Sequence, residues 1–532
     1  MLEIDTTNSP SDYQKDFQKI YSKNKFYLRK KYSLFIDNIS HKFSNNIDWW
    51  VSSVAERNLN SSLYHNICLY FSLKEFLKKK KVDKIIVNNF ELLQKIKKFY
   101  KKKIILKKST NYSYFIKTII KHLIIFFYIK IFKKRIKIKK KISLVDKFIT
   151  STKLNHDRYY NNYFDKKDYI YVPTFVNLSN LNIVKCINKM SEQKYLLTYS
   201  YLSFADFLFS IKYYFRIKKL KFGRCYFKNV EFSSFVVSEL NNLKNINAIY
   251  LGIQNYLFAK KLKQNNVKIE KIINWFENSN VDKGWNMGFQ KFYSKSKILG
   301  YQGYFIEKEW LYLDPSNSEY KYKVIPKEIV CIGSNLVKSR KEHCKNLKIV
   351  NGLNLRFKNM EKIKKTRKNK NSILVTLNID IESSRRIIQS ILKTEYCKSG
   401  KSIYIKEHPL LKIQKLNIFP LPKNIKLYEG NYLDIVKKFK VIITSGSSSS
   451  IMQAIFLNCY VIFPFNNYFD KFNFKELKIP NSKYKVCKTT KELDKYINYY
   501  LKKKVSKHEV NQTKIIMRKN LNNKIINNLS NL

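Results

Sequence analysis

The second half of the chain alternates short apolar strands with helices, and this alternation limits the folds that the chain can adopt. Predicted strands are SILVTLNI (Ser372–Ile379), SIYIKEHP (Ser402–Pro409), VIITSGSSSS (Val441–Ser450) and YVIFP (Tyr460–Pro464). Strands that are joined through helices pair in parallel and are covered on both faces. We therefore predict an α/β fold, in which ligands bind beyond the carboxyl ends of the strands.

The first half of the chain repeats this alternation less regularly. Its predicted strands are KIIVNN (Lys84–Asn89), KIIL (Lys103–Leu106), DYIYVPTF (Asp168–Phe175) and KIINWFEN (Lys271–Asn278). A chain of 532 residues is long for one hydrophobic core and suits two domains. We therefore predict that each half of the chain forms one α/β domain.

Composition and turn residues give the predicted boundaries of these domains. In chain order, we expect a polar extension at 1–45, a first domain at 46–312 with basic helical insertions at 110–141 and 200–224, a linker at 313–326, a second domain at 327–505 and a helical tail at 506–532.

The chain is strongly basic, with 104 Lys plus Arg against 39 Asp plus Glu and a formal net charge of +65. One interpretation is a polyanionic partner such as nucleic acid, an anionic membrane or an acidic substrate. The other is nucleotide bias, because Lys, Asn, Ile, Tyr and Phe are abundant and Lys is spread along the whole chain. We favour bias as the main cause, although a basic surface still attracts anionic lipid and negatively charged donors.

Two segments combine apolar and aromatic residues with a basic end. They are YFIKTIIKHLIIFFYIKIFKKRIKIKKK (Tyr114–Lys141) and YLSFADFLFSIKYYFRIKKLKFGR (Tyr201–Arg224). Neither contains the run of about 18 apolar residues that a spanning helix needs. The pattern is typical of a helix in an anionic membrane interface, and equally of a buried helix with a solvated basic end.

The sequence also favours a cytoplasmic location, peripheral at the inner face of the cell membrane. The first residues, MLEIDTTNSPSDYQKDF, are polar and acidic and do not resemble a signal peptide. The eight cysteines are scattered and form neither a CxxC motif nor a Cys/His cluster with zinc-ligand spacing. We therefore expect a reducing compartment.

The strongest motif is TSGSSSSIMQAI (Thr444–Ile455), in which an apolar strand leads through a hydroxyl-rich loop into a helix. Gly446 allows a close turn, and one serine can cap the helix. The other hydroxyls and the free N–H groups of the first helical turn form an anion site suited to phosphate. The donor-binding residues predicted here are Ser445, Gly446, Ser447, Ser448 and Ser449; a loop with one capping serine and no ligand is the alternative.

A second motif, KEHP, follows another strand of the same predicted sheet. His408 can donate to a phosphate or assist a leaving group, Pro409 ends the strand, and Lys406 adds positive charge. A single histidine is usually structural or merely exposed. Because neighbouring parallel strands end at one edge of a sheet, we expect His408 and the serine loop to reach one diphosphate.

These motifs resemble those of bacterial glycosyltransferases of GT-B architecture that use cytidine-nucleotide donors, such as sialyltransferases, Kdo transferases and capsule polysaccharide synthesis proteins. The whole chain is similar to a family of bacterial surface carbohydrate biosynthesis proteins. That similarity rests on DWWVSSVAERNLNSSLYHNICL (Asp48–Leu69), DRYYNNYF (Asp157–Phe164), NWFEN (Asn274–Asn278), DKGWNMGF (Asp282–Phe289), GYQG (Gly300–Gly303), KEHP and the serine loop. The resemblance implies two Rossmann-like domains facing a cleft, with the HP and serine motifs on the donor's phosphate.

Sugar transfer then requires a base in the first domain, because the acceptor hydroxyl must lose its proton as it attacks. Glu277, at the end of the strand KIINWF, is the first candidate, and Asp282 is the second. Glu56 and Arg57 lie in a polar and aromatic cluster that we predict to bind substrate or to line the domain interface. For each residue the alternative is a solvated or helix-capping side chain.

Turns at two further strand ends complete the predicted site. Gln302 is predicted to hydrogen-bond the substrate, and Gly303 to supply backbone geometry. Gly333 and Ser334 are predicted to begin the donor domain in the same way. An ordinary turn is the alternative for all four residues.

We predict no metal and no cofactor, since the nearest paired carboxylates at a strand end, Asp380 and Glu382, are expected to cap a helix and to occupy its first turn. The predicted function is transfer of a sugar from a nucleotide donor, with CMP favoured, to a glycan or a lipid-linked acceptor of a surface polysaccharide or glycolipid. A CDP-polyol phosphotransferase on the same fold is one alternative. A non-catalytic, basic nucleic-acid-binding protein is another, although the sequence has no recognition motif that predicts a specific nucleic acid.

Overall fold

A computed structural model describes residues 2–7, 10, 13–107, 113–133, 138, 140–155, 157–165, 168–304, 313–341, 344–357, 360, 368–369, 371–409, 411–418, 420–444, 450–464, 479–504, 506 and 509–513. The strands lie in two separate bodies of parallel sheet, each surrounded by helices. The predicted fold class, two α/β domains with parallel sheets, is confirmed.

The first domain contains a three-stranded parallel sheet, a six-stranded parallel sheet and a short antiparallel hairpin. The strands are β1 (Glu3–Asp5), β2 (Lys84–Val87), β3 (Lys103–Leu106), β4 (Ile142–Ile149), β5 (Tyr169–Phe175), β6 (Tyr226–Phe227), β7 (Val230–Glu231), β8 (Ile269–Trp275), β9 (Lys297–Gln302), β10 (Glu328–Ile332) and β11 (Lys348–Gly352).

The six-stranded sheet has the order β11-β10-β9-β8-β4-β5. Chain order therefore reverses between β4 and β8, which makes this pair the topological switch point of the sheet. Ligands of open α/β sheets bind beyond the carboxyl ends of the strands at such a point. Residues that follow β4 and β8 are consequently the first place to look for a site.

Helices cover both sheets of the first domain. They are α1 (Lys15–Ser40), α2 (Ile47–Trp50), α3 (Ser62–Leu77), α4 (Phe90–Lys97), α5 (Ser113–Phe132), α6 (Asn180–Lys189), α7 (Thr198–Tyr201), α8 (Phe204–Ile211), α9 (Tyr213–Ile217), α10 (Ser233–Leu240), α11 (Ile246–Gln264), α12 (Asn280–Phe292), α13 (Asn317–Lys321) and α14 (Ser334–Lys341). Among the described residues, no helix has the length and apolar character needed to cross a bilayer.

The motif DKGWNMGF packs α12 closely against α11. A Cβ atom on Gly284 would lie 1.9 Å from the carbonyl oxygen of Gly252, and one on Gly288 would lie 2.8 Å from the Cα of Tyr256. The two backbones approach closely because glycines face each other at the crossing. These glycines therefore fix the position of α12, whose first turn borders the end of β8.

The second domain is a six-stranded parallel sheet with the order β14-β13-β12-β15-β16-β17. Its elements are β12 (Ile373–Thr376), α15 (Ile381–Leu392), α16 (Glu395–Lys398), β13 (Ile403–Lys406), β14 (Ile425–Leu427), α17 (Tyr432–Val436), β15 (Val441–Thr444), α18 (Ser450–Phe456), β16 (Tyr460–Pro464), β17 (Tyr484–Cys487) and α19 (Thr490–Lys502). Numbered from its first strand, the order is that of a Rossmann fold, with the switch point between β12 and β15. Asp380 caps α15, as predicted, by accepting from the N–H of Ser383 at 2.7 Å.

The predicted boundary between the domains is wrong. The strand EIVCI, expected to begin the second domain at 327, is β10 and pairs in parallel with β9 of the first sheet. The predicted linker at 313–326 is packed into the first domain, where α13 carries the buried side chains of Ser318 and Glu319. From its sequence, this apolar strand could join the sheet of either domain. Only its pairing with a distant strand decides which sheet it joins.

The predicted N-terminal extension at 1–45 also belongs to the first domain. β1 pairs with β2, and α1 packs along α3 through buried residues that include Phe17 and Tyr32. The predicted insertions form α5 and the group α7, α8 and α9, which contact one another. Most of the predicted tail at 506–532 lies outside the described residues.

Candidate functional site

Glu277 lies directly beyond β8, at the switch point of the first sheet. Its side chain is exposed, and Oε1 accepts a hydrogen bond from the indole N–H of Trp275 at 2.7 Å. Its backbone N–H donates to Oδ2 of Asp282 at 3.0 Å. The strand end and the first turn of α12 therefore hold this carboxylate in one place at the carboxyl edge of the sheet.

Asp282, the second catalytic candidate, is buried behind Glu277. It forms a capping box with Ser279 at the start of α12, and its Oδ1 accepts from the side-chain amide of Asn274 at 3.0 Å. Burial raises the pKa of Asp282 to about 6. Because both carboxylate oxygens already accept hydrogen bonds, Asp282 is placed to orient Glu277 rather than to meet a substrate.

Two arginines that were not predicted as site residues belong to the same charged cluster, because Arg356 interacts electrostatically with both Arg158 and Glu277. Arg158 follows β4, and its guanidinium is 5.1 Å from the centre of the Tyr159 ring, while Arg356 follows β11. Burial and the charge of Arg158 lower the pKa of Arg356 to about 10, and Glu277 opposes this shift. Two guanidinium groups and one carboxylate thus share this electrostatic cluster, which leaves an excess of positive charge suited to an anion.

Hydrogen bonds to two aspartates hold the loop that carries Arg158 in position. Oδ1 of Asp157 accepts the N–H groups of Tyr159 at 2.9 Å and Tyr160 at 3.0 Å. The hydroxyl of Tyr160 donates to Asp146 of β4 at 2.5 Å, and Asp146 also accepts the backbone N–H of Trp275 in β8. Asp146 therefore ties the two strands of the switch point together and fixes the loop above them.

His408 brings the second domain to this cluster. It follows β13, and its pKa is lowered to about 4 by burial and by the positive charge of Arg158. Glu407 shapes the loop, because its Oε1 accepts the N–H of Ile413 at 2.7 Å. Lys406 ends β13, where burial lowers its pKa, and Pro409 is exposed. The positive charge of a guanidinium in the first domain therefore acts on the imidazole of the second domain.

The serine loop begins at the switch point of the second sheet. β15 ends at Thr444, whose hydroxyl donates to the carbonyl of Thr376 in β12 at 3.2 Å, and α18 begins at Ser450. The five predicted residues between these elements lie outside the described residues: Ser445, Gly446, Ser447, Ser448 and Ser449. The ends of β12 and β15 do have the position that a phosphate loop needs in a Rossmann fold.

The structure assigns Gly333 and Ser334 to the first domain, not to the donor domain as predicted. Gly333 has a φ of 80° and follows β10, and Ser334 begins α14, whose first side chains are outside the described residues. Gln302 is buried, and its Oε1 accepts from Nε of Arg340 at 3.1 Å. A Cβ on Gly303 would lie 2.5 Å from the ring of Tyr301, so this glycine is required by packing.

Glu56 and Arg57 are not brought into the cluster. Arg57 is buried and forms an ion pair with Glu319 at 2.8 Å, and Lys283 forms a second pair with the same carboxylate at 2.8 Å. Burial raises the pKa of Glu56 to about 7, against the opposing effect of Lys283. Glu319 also accepts from the side chain of Asn278 at 3.1 Å, so this ionic network supports the loop that carries Glu277.

No protein-family model and no curated protein matches the chain. Among solved structures, it is similar to CalG4, the calicheamicin glycosyltransferase, at 9% identity, covering 72% of this chain and 95% of that chain with a TM-score of 0.40. The UDP-N-acetylglucosamine 2-epimerase from Rickettsia bellii aligns at 13% identity over 72% and 96%, with a TM-score of 0.41. MurG of Acinetobacter baumannii aligns at 8% identity over 71% and 94%, with a TM-score of 0.35. Similarities at these TM-scores identify neither a reaction nor a ligand.

Proposed function

We propose that the chain is a glycosyltransferase that uses a nucleotide-sugar donor, with a cytidine nucleotide as the proposed carrier. The observation that carries this proposal is a charged cluster in which Arg356 interacts electrostatically with Arg158 and with Glu277, and Arg158 with His408. These residues follow β4, β11, β13 and β8, so the cluster is built from strand ends of both domains. A positively charged cleft with one carboxylate suits a phosphorylated donor and a base.

In the proposed reaction, Glu277 accepts the proton of the acceptor hydroxyl as its oxygen attacks the anomeric carbon of the donor sugar. The bond from that carbon to the phosphate oxygen breaks, and its electron pair leaves with the nucleotide. Arg158 and the ring N–H of His408 stabilise the negative charge that develops on the leaving phosphate. Asp282 holds the backbone of Glu277 in place during these steps.

The proposed acceptor is a glycan or a lipid-linked sugar of a surface polysaccharide. A small pocket that is open to solvent lies between α5, α11 and the end of β5. Ile125 and Ile129 give it an apolar side, while His122 and Gln254 give it a polar side. We propose that this pocket receives part of the acceptor, and that the protein works in the cytoplasm at the inner face of the membrane.

Thermal unfolding in the presence of CMP, CDP, UDP, GDP or ADP tests the donor proposal. A ligand at a hundredfold excess over its Kd adds about 2.7 kcal/mol to the stability of the folded state, which raises the melting temperature measurably. We expect CMP or CDP to give this shift, and Arg158→Ala and His408→Ala to lose it. Arg29→Ala, which removes a guanidinium packed on Phe26 of α1, is the matched control and should keep it.

The other outcomes separate the alternatives. Stabilisation by UDP or GDP would discard cytidine and keep the anion site. The absence of a shift with every nucleotide would contradict the transferase proposal and favour nucleic acid as the partner. If CMP-sugars are inactive and CDP-polyols react, the chain is a polyol-phosphate transferase. Glu277→Gln should keep nucleotide binding and lose transfer.

A further inference from the structure

Helix α5 is apolar on two opposite faces. One face, with Ile125, Phe126 and Ile129, is buried against the first domain. The other presents a stripe at helical spacing, whose members are 43–69% exposed: Ile116, Ile120, Ile124, Phe127 and Ile131. A helix that is apolar all round is normally buried on all sides. The apolar residues on the outer face of α5 would normally be buried, but the described part of the chain leaves them exposed.

The exposed stripe continues onto α8 and α9. The rings of Phe127 and Phe204 are 6.2 Å apart, and both side chains are about half exposed. At the other end of α5, Phe115 is 6.3 Å from Tyr214, whose neighbour Phe215 is 65% exposed. The two apolar segments with basic ends, which are far apart in the sequence, thus form one surface. Contiguous apolar patches of this kind mark interaction sites, whereas scattered exposed apolar residues do not.

Basic residues surround this patch. Lys117 is exposed on α5, Lys212 is exposed between α8 and α9, and Lys218 and Lys219 are exposed directly after α9. The sequence after α5, from Lys133 to Lys141, is basic at every position except two isoleucines. α5 contains no acidic residue. The acid of α8, Asp206, is engaged by its cap Ser203 and by Lys261 at 3.2 Å. The rim of the patch therefore carries charge of one sign.

From this combination we propose that the outer face of α5, α8 and α9 docks on an anionic lipid bilayer. Apolar side chains enter the interface while lysines contact the lipid headgroups. A second copy of the chain does not suit this face, since pairing would bring two basic rims together on proteins of formal net charge +65. The inference rests on the proposed membrane location and names the surface responsible, with no residue of the cleft involved.

Vesicle binding of the full chain, measured by co-sedimentation without donor or acceptor, tests the proposal. The vesicles are phosphatidylcholine alone or a mixture of phosphatidylcholine and phosphatidylglycerol. We expect binding to the mixture only, weakening as salt rises. Ile124→Gln with Phe127→Gln should weaken binding about tenfold or more. Tyr27→Gln with Leu34→Gln, which removes two apolar side chains of α1 that are 62% and 63% exposed, should leave binding unchanged.

A second variant keeps the apolar residues and changes the rim. Lys212→Glu with Lys219→Glu should abolish the preference for anionic vesicles. Equal binding by all variants, equal binding to both vesicle types, or no binding would overturn the proposal. The proposal would also be overturned if the protein formed a dimer in solution and the double change of Ile124 and Phe127 dissociated it. Nucleotide binding is measured separately, by thermal unfolding. Failure of vesicle binding therefore does not contradict the transfer proposal, and failure of nucleotide binding does not contradict the docking proposal.

Discussion

Replacing Glu319 by glutamine tests whether one buried acid stabilises the first domain and the loop that carries Glu277. The acid is 1% exposed and pairs with Arg57 and Lys283, which are 4% and 0% exposed. These partners overcome the effect of burial and lower the pKa of Glu319 to about 2, from an ordinary value of 4.5. Each pKa unit corresponds to about 1.4 kcal/mol, so the folded state gains about 3 kcal/mol from this ionisation.

Glu319→Gln should therefore lower the free energy of unfolding by about 3 to 5 kcal/mol at neutral pH, because two buried cations lose their counter-charge. Urea unfolding followed by tryptophan fluorescence measures this loss in the first domain alone, since the sequence has no tryptophan after residue 310. Glu75→Gln is the matched control. It breaks the exposed pair with Lys79 and should cost less than about 1 kcal/mol.

The pH dependence gives a second check on the same reasoning. A carboxylate with a lowered pKa in the folded state stabilises fully above its unfolded pKa and loses this effect as the pH falls. The free energies of unfolding of wild type and Glu319→Gln should thus differ by a constant amount above about pH 5, and this difference should become smaller toward pH 2. The argument would be refuted if Glu319→Gln lowered the free energy of unfolding by less than about 1 kcal/mol at neutral pH. It would also be refuted if the difference from wild type did not become smaller in acid.

Other predictions address the packing and the site. Gly284→Ala should cost about 3 kcal/mol or more in urea unfolding, because its Cβ would meet the Gly252 carbonyl at 1.9 Å. Burial raises the pKa of Asp146 to about 8, so the free energy of unfolding should fall as pH rises from about 4 to 8, and Asp146→Asn should flatten that slope. Asp282→Asn should lower kcat about tenfold while nucleotide stabilisation persists, as expected for a residue that positions Glu277. Calorimetry in buffers of different ionisation enthalpy should detect proton uptake by His408 when nucleotide binds near pH 6, since a phosphate raises a pKa now near 4.

Local sequence pattern predicted most strands of both sheets, because apolar runs bounded by turns determine strands independently of their partners. It could not predict that β10 joins β9, since the pairing depends on contacts between distant residues. The mistake moved Gly333 and Ser334 into the wrong domain. Strands β1 and β11 were missed altogether, as a three-residue strand carries no periodicity and Lys348–Gly352 is only partly apolar.

The candidate site shows the same limit. Glu277 was selected as a candidate because a carboxylate directly after a strand is visible in the sequence. Arg57 was assigned to substrate, since its ion-pair partner Glu319 lies 262 positions away and a buried charge resembles a functional one in sequence alone. Arg158 and Arg356 were not selected at all. The only available signal for Arg158 was its place in the motif DRYYNNYF, which gave no indication of its proximity to Glu277.

The two switch points explain why charged residues from such distant parts of the chain meet. Each sheet opens where its strand order reverses, and only there do loops diverge enough to admit a ligand. The first sheet presents Arg158 and Glu277 at this opening, and the second presents the start of the serine loop beside the strand that precedes His408. Burial and the positive charge of Arg158 lower the pKa of His408 to about 4, so the imidazole in the empty cleft is neutral at neutral pH. We expect a phosphate bound between Arg158 and His408 to raise that pKa, which couples donor binding to protonation of His408.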